Sequence, residues 1–355
     1  MYRKIILVFL SMFSLSYAVD DIDIEKRRQE QQNFDELIRN QNFLTPQNIG
    51  KNEQKNLILN VNSIDLEGNT IFEDFQINAI LRKYIGGDKN IYTLINELEN
   101  KYIESGYVTT KVGLNMEKSN FESGDISLFI LEGKIDKVFY DGKENKFKTF
   151  ITFPQKENNI LNIRDLDQGI DNLGDNSKMD IKASDKNGYS NIYIKRDNKP
   201  INFGVNYNDL GQFDTSRHRL RYFLNTHNIF GLNESLDFSY QNKLQRQYKE
   251  RDTKNFSFGI SVPFKYWTFS YNYDNSEYLR SIPALGRTYK ATGKTENQTF
   301  AIRKMLHRNE NHKIDIGAKI TLKDSKNYID DVRLVSSSRK LSALTVVYTT
   351  LTYRF

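Results

Sequence analysis

The chain contains no cysteine in 355 residues. A disulfide framework, a thiolate metal site, a thiol nucleophile and lipidation at an N-terminal cysteine are therefore excluded. Past residue 18 no stretch is apolar enough for a membrane helix, and with 38% hydrophobic residues and a mean hydropathy of −0.65 a bundle of membrane helices is excluded as well. Tryptophan occurs once and proline five times, against 21 Tyr and 23 Phe. High aromatic content with little aliphatic bulk suits a strand-rich chain. Fifty-one basic residues face 45 acidic ones, well mixed, for a net charge of +6. So small a surplus argues for no nucleic acid partner.

Residues 1–18 begin with Arg3 and Lys4, continue as an apolar run from Ile5 to Leu15, and end in Ser16-Tyr17-Ala18. This is the pattern of a secretory signal peptide. A membrane anchor is the competing reading, but the run is too short to span a bilayer as a stable helix. The mature chain is expected to be exported, and any membrane insertion must then use strands.

Three zones follow. Residues 19–56 are charged and rich in Gln and Asn; Glu25 to Ile38 suits a polar helix, and the stretch after Leu44-Thr45-Pro46 suits a linker. Residues 57–133 predict a strand pattern (Leu59, Val61, Ile64, Leu66), a helix over Phe75–Ile85, a second helix over Thr93–Ser105 with Thr93 as N-cap and Gly106 as stop, and strands over Tyr107–Met116 and Asp125–Leu131. Residues 134–199 repeat this β-α-α-β-β order: a strand over Lys134–Tyr140, helices over Lys146–Phe153 and Asn162–Leu173, and strands over Met179–Ala183 and Ile192–Lys195. Two α+β modules are expected.

Residues 200–355 change period. Phe203, Val205 and Tyr207 alternate with polar residues, as do Phe256, Phe258, Ile260, Val262 and Phe264, then Trp267, Phe269, Tyr271 and Tyr273, and Ile314, Ile316, Ala318, Ile320 and Leu322. About eight strands are expected, of the length that tilted membrane strands need. Connections at Lys265-Tyr266 and Arg308–Asn311 are tight, whereas Leu279–Gly293 and Ser325–Lys340 are long and polar. Alternating short and long connections fit an antiparallel outer-membrane β-barrel, with Tyr207, Tyr240, Phe264 and Tyr266 as girdle candidates. A secreted β-sandwich also alternates, but its strands are usually shorter.

No catalytic constellation emerges. His218, His227, His307 and His312 form no tight ligand set, and there is no nucleophile elbow or phosphate loop. Neither a metal nor a cofactor is expected, and the chain does not read as an enzyme.

The succession of signal peptide, helix, linker, two modules and barrel resembles the two-partner secretion transporters, the outer-membrane secretion and activation proteins for haemolysins and filamentous haemagglutinins. The resemblance is carried by Phe129-Ile130-Leu131-Glu132-Gly133-Lys134-Ile135, by Leu161-Asn162-Ile163-Arg164-Asp165-Leu166-Asp167-Gln168, and by the barrel entry Asn206-Tyr207-Asn208-Asp209-Leu210-Gly211. His227-Asn228-Ile229-Phe230-Gly231-Leu232-Asn233-Glu234 and Asn327-Tyr328-Ile329-Asp330-Asp331 with Ser338-Arg339-Lys340-Leu341 add to it. It implies that the modules are POTRA (polypeptide-transport-associated) domains in the periplasm. It also implies a secreted exoprotein of haemolysin or adhesin type as partner, captured unfolded and passed through a barrel held in outer-membrane lipid.

An exposed strand edge of a POTRA module is suited to receive an extended client by β-augmentation. Tyr107, Val108, Thr109, Thr110, Lys111 and Val112 are the candidate edge, although their alternation serves core packing equally well. Leu131, Glu132 and Gly133 form the junction between modules, where glycine lets the chain change direction. Family barrels have about sixteen strands and a loop bearing Arg-Gly-Tyr or Arg-Gly-Phe; this chain offers neither. A C-terminally truncated transporter is therefore expected. The alternative is a complete eight-stranded barrel, filled by its own side chains, acting in adhesion or assembly without transport.

Overall fold

The computed structural model describes residues 57–174, 177–196, 201–211, 215, 217–244, 251–284 and 286–352. The expected signal peptide (1–18) and the helix and linker of 19–56 lie outside them. The described residues divide into two compact units. One holds residues 57–103 with Val108–Gly133 and Asp180–Ile192; the other holds Glu104–Tyr107, the described residues of Lys134–Met179 and those from Tyr193 onward.

In the first unit the chain runs β1 (Ile58–Asn60), β2 (Ser63–Glu67), α1 (Asp74–Leu81), β3 (Asp88–Asn90), α2 (Ile91–Glu104), β4 (Lys111–Leu114) and β5 (Asp125–Leu131). The sheet has the order β2-β5-β4, with β2 parallel and β4 antiparallel to β5, while β1 and β3 form a separate ribbon. Leu94, Leu98 and Tyr102, a turn apart on α2, are fully buried with Val112, Ile126 and Leu128. Helix α2 starts two residues before the expected Thr93, because the Asn90 side chain accepts the Tyr92 N–H at 3.0 Å and supplies the cap. The expected strand Tyr107–Met116 shrinks to Lys111–Leu114; Tyr107–Thr110 form a turn out of α2.

The next elements are β6 (Lys134–Tyr140), β7 (Lys143–Glu144), α3 (Lys146–Thr152), α4 (Ile163–Leu173), β8 (Ser177–Ala183) and β9 (Tyr189–Arg196), in a sheet of order β7-β6-β9-β8. Asn145 and Asn162 cap the two helices, each side chain accepting a backbone N–H, from Lys148 and Arg164, at 2.9 Å. Gly169 lets α4 sit on Phe153: a Cβ there would lie 2.0 Å from the ring.

The rest of the second unit is one antiparallel sheet. Its strands are β10 (Ile201–Asn208), β11 (Arg219–His227), β12 (Ser235–Lys243), β13 (Asp252–Phe264), β14 (Trp267–Ala284), β15 (Arg287–Arg308), β16 (His312–Ile329), the short β17 (Val332–Arg333) and β18 (Arg339–Thr352). The register carries each face across the whole sheet. Phe203 stands opposite Leu224, then Phe238, Phe258 and Tyr273; Ile260 stands opposite Tyr271, then Phe300, Ile320 and Leu344. One residue along, Asn225, Asp237, Gly259, Asn272, Thr299 and Thr321 line up on the opposite face. One apolar and one polar face over strands of this length is the pattern of a transmembrane barrel wall, lipid outside and water inside.

Two expectations change. Leu279–Gly293 is not a loop: β14 and β15 pair from Trp267–Lys304 to Ala284–Arg287, so the hairpin extends well past the length a bilayer requires. Polar side chains on both faces hid these strand ends in the sequence. Among the described residues the eight long strands also do not close on themselves: β10 and β18 are the two ends of the sheet and show no pairing with each other. The small filled barrel is therefore not the arrangement found.

Candidate functional site: the strand-turn rim and the module edge

Within the second unit, α3 and α4 meet the turns at one end of the barrel sheet. Three successive turns on that side, β11–β12, β13–β14 and β15–β16, each bond to a helix. In the first, His227 Nε2 lies 2.8 Å from the Leu173 carbonyl, and Asn233 Nδ2 donates to Thr152 Oγ1 at 2.7 Å. The turn is held by Glu234, whose carboxylate accepts the Phe230 and Leu232 N–H groups at 2.7 and 3.0 Å. Asn228, Gly231 and Asn233 adopt positive φ, which suits Asn and Gly. The motif from His227 to Glu234 thus encodes a rigid docking turn.

In the second turn Lys265 donates its N–H to the Ile151 carbonyl at 3.0 Å and accepts Asn172 Nδ2 at 2.7 Å. The Tyr266 hydroxyl donates to Asp165. Tyr266, expected in a girdle, is instead a tether, because it sits in the turn itself. Burial pushes the Asp165 carboxyl up, partly offset by that hydroxyl. In the third turn, Arg308 Nη1 and Lys313 Nζ reach Asp171 Oδ2 at 2.6 and 2.8 Å, and Arg164 Nη2 reaches Glu310 at 2.9 Å. Burial raises the Asp171 pKa, but Arg308 and Lys313 outweigh it and hold the carboxyl below its ordinary value.

In the first unit the candidate edge is β4, the last strand in its sheet order. Thr109, Thr110, Lys111 and Val112 are buried; Tyr107 and Val108 are half-buried. Asn115 donates to the Ser127 carbonyl, so by antiparallel alternation the Val112 N–H points away from β5. It donates to Glu99 Oε1 on α2 at 3.1 Å. Burial raises the Glu99 pKa, opposed by Lys111 and by that N–H. The edge is thus occupied by a side chain of its own module, which the sequence did not signal.

At the junction, Leu131 ends β5, and the Glu132 carboxylate accepts the Thr70 N–H at 2.7 Å and the Thr70 hydroxyl. Gly133 does not have a positive φ. Its role is close approach, not a change of direction: a Cβ would lie 2.2 Å from Thr109 Oγ1 and 2.7 Å from the Thr109 carbonyl. Among the described residues no group of three or more His, Asp or Glu is placed to hold a metal ion.

Two α+β modules, the second fastened to the turn side of a two-faced sheet, define an outer-membrane protein of the POTRA-and-barrel class. Residues 188–355 match the family described as Haemolysin secretion/activation protein ShlB/FhaC/HecB, residues 59–133 the ShlB-type POTRA domain, and residues 134–182 a further POTRA domain. The chain is thus similar to this haemolysin secretion/activation family over residues 188–355, with POTRA-type domains matched before it.

Curated relatives include the outer membrane transporter CdiB of Dickeya dadantii, 27% identical over 73% of this chain and 46% of its own length. The hemolysin transporter protein ShlB of Serratia marcescens is 24% identical over 90% of this chain and 56% of its own. The chain spans about half the length of the curated relatives it matches. The solved structure of CdiB from Escherichia coli shares the fold, with a TM-score of 0.79 at 23% identity over 93% of this chain and 64% of that one.

Proposed function

We propose that the chain serves two-partner secretion: its POTRA modules capture an unfolded exoprotein of haemolysin or haemagglutinin type in the periplasm and hand it to the polar face of the barrel wall for passage across the outer membrane, without catalysis. The domain limits 57–133, 134–199 and 200–355 are part of this proposal. The observation that supports it most is the register-continuous polar face, Asn225 through Thr321, on a sheet whose turn side carries the second module. A module bonded at three turns holds its strands at the mouth of any pore that sheet helps to form.

Capture is assigned to Tyr107, Val108, Thr109, Thr110, Lys111 and Val112. A client strand would add to β4 by replacing Glu99 with a backbone carbonyl at the Val112 N–H. Because β-augmentation reads the backbone, the exchange suits a client of varied sequence. The junction Leu131-Glu132-Gly133 keeps the turn before β4 seated during that exchange. A photo-crosslinking residue at Tyr107 or Val108, in cells exporting the exoprotein, tests both parts. Crosslinks to the exoprotein, with export that requires the chain, are expected. Undiminished export without the chain would overturn the transport reading, and export without crosslinks would overturn the assigned edge.

A further inference from the structure

Helix α3 has its faces reversed. Its buried residues are Lys148, Thr149, Ile151 and Thr152, while Phe147 and Phe150, three residues apart on one side, are 61% and 48% exposed. A helix bathed in water exposes its lysines and buries its aromatics; here Lys146 is exposed but Lys148 is buried. The reversal is stabilising only if the medium over Phe147 and Phe150 is not water.

The neighbours of α3 identify that medium. The Phe150 ring meets Phe264 edge-on, centroids 5.7 Å apart. Phe264 lies on the apolar face with Ile260 and Val262 and stands opposite Trp267, which is followed on the same face by Phe269 and Tyr271. The aromatic side of α3 therefore continues the lipid-facing surface past the β13–β14 turn. Two cations stand among these rings: Lys265 Nζ is 4.5 Å from the Phe150 centroid and 5.6 Å from that of Phe264, and Lys304 Nζ is 5.0 Å from that of Trp267. Aromatic rings with ammonium groups at one strand end form the belt expected where acyl chains give way to phosphates.

We propose that α3 is an interfacial helix, with Phe147 and Phe150 inserted into the periplasmic leaflet of the outer membrane and Lys265 and Lys304 facing its phospholipid phosphates. The second POTRA module would then be held to the membrane by lipid as well as by the barrel turns. This rests on the reading of the sheet as a transmembrane wall.

The chain has a single tryptophan, Trp267 on the lipid-facing row, so it reports on that reading by itself. The unaltered chain and a W267F/F147W variant are reconstituted in vesicles of phosphatidylethanolamine and phosphatidylglycerol, with and without acyl-chain bromination. Loss of most indole emission to brominated lipid in both proteins, with little quenching by aqueous acrylamide in the variant, is the expected result. Acrylamide quenching of the variant without bromolipid quenching, while Trp267 stays bromolipid-quenched, would overturn the interfacial helix alone. An indole in the variant shielded from both quenchers would place protein over α3 and equally overturn the lipid assignment. Absence of bromolipid quenching at Trp267 would instead overturn the barrel reading on which the proposal rests.

Discussion

Replacing Asp171 with asparagine removes a carboxylate that two cations share. Arg308 and Lys313 stand 2.6 and 2.8 Å from one of its oxygens, and their side chains are 13% and 17% exposed against 40% for Asp171. An exposed ion pair contributes about 0–1 kcal/mol, and removing one partner of a buried pair costs about 3–5 kcal/mol. With the cations half-buried and the carboxylate partly solvated, D171N should cost about 2 kcal/mol of unfolding free energy. Denaturant unfolding of the full chain in detergent micelles, compared for D171N, R308M/K313M and their combination, isolates the contact. R308M/K313M should also destabilise, and adding D171N to it should cost little more, a coupling of about 1–2 kcal/mol. An equal cost of D171N in both backgrounds would refute the clamp. The pH dependence has a definite sign. Because the folded Asp171 pKa is lowered, its stabilisation is fully present above the ordinary carboxylate pKa and is lost only as pH falls through the lower folded value.

Lys148 is buried, and burial, with Arg196 adding to it, lowers its pKa to about 8. The unfolded chain then binds more protons between about pH 8 and 10.5, so folding stability should rise with pH across that window. K148M should stabilise the chain at pH 7 and lose that advantage near the top of the window, as pH-dependent melting would show; an advantage that persists unchanged would mean that Lys148 is not charged in a buried site. G133A should destabilise the first module by about 1–3 kcal/mol through overlap with Thr109, and T109S/G133A should not relieve it because the Thr109 carbonyl is also close. E99Q keeps an acceptor for the Val112 N–H and should leave client crosslinking at Tyr107 near its original level, whereas E99A, which vacates the edge, should raise it. Equal crosslinking in the two variants would argue against exchange at β4.

Much of this fold is written in local pattern. The alternation of Phe256 to Phe264 and of Trp267 to Tyr273 places two strands on one apolar face, and the tight turn between them follows at Lys265-Tyr266. Helix α4 is legible from Ile163, Leu166, Ile170 and Leu173 after a capping Asn162. What the sequence hides is long-range. Asp171 meets Arg308 and Lys313 across 137 and 142 residues, and neither end carries a local sign of the other. Glu99 reads as a surface charge on α2 until β4 is laid beside it. Gly133 suggests a turn, yet the carbonyl of Thr109 is what excludes a side chain there. The reversed faces of α3 are invisible because Phe147 and Phe150 fit a buried stripe as well as a lipid-facing one.

One face of the sheet should meet lipid and the other water. The native chain has no cysteine, so single cysteines can be placed without background. Thr299 and Thr321 pair on the polar face, their hydroxyls 3.2 Å apart, and Phe300 and Ile320 pair one residue along on the apolar face. Labelling of T299C, F300C, I320C and T321C with a membrane-impermeant maleimide, on outer membranes holding the full chain, tests the claim directly. T299C and T321C should react while F300C and I320C stay protected until the membrane is dissolved. Equal reaction at all four positions in intact membranes would contradict that reading.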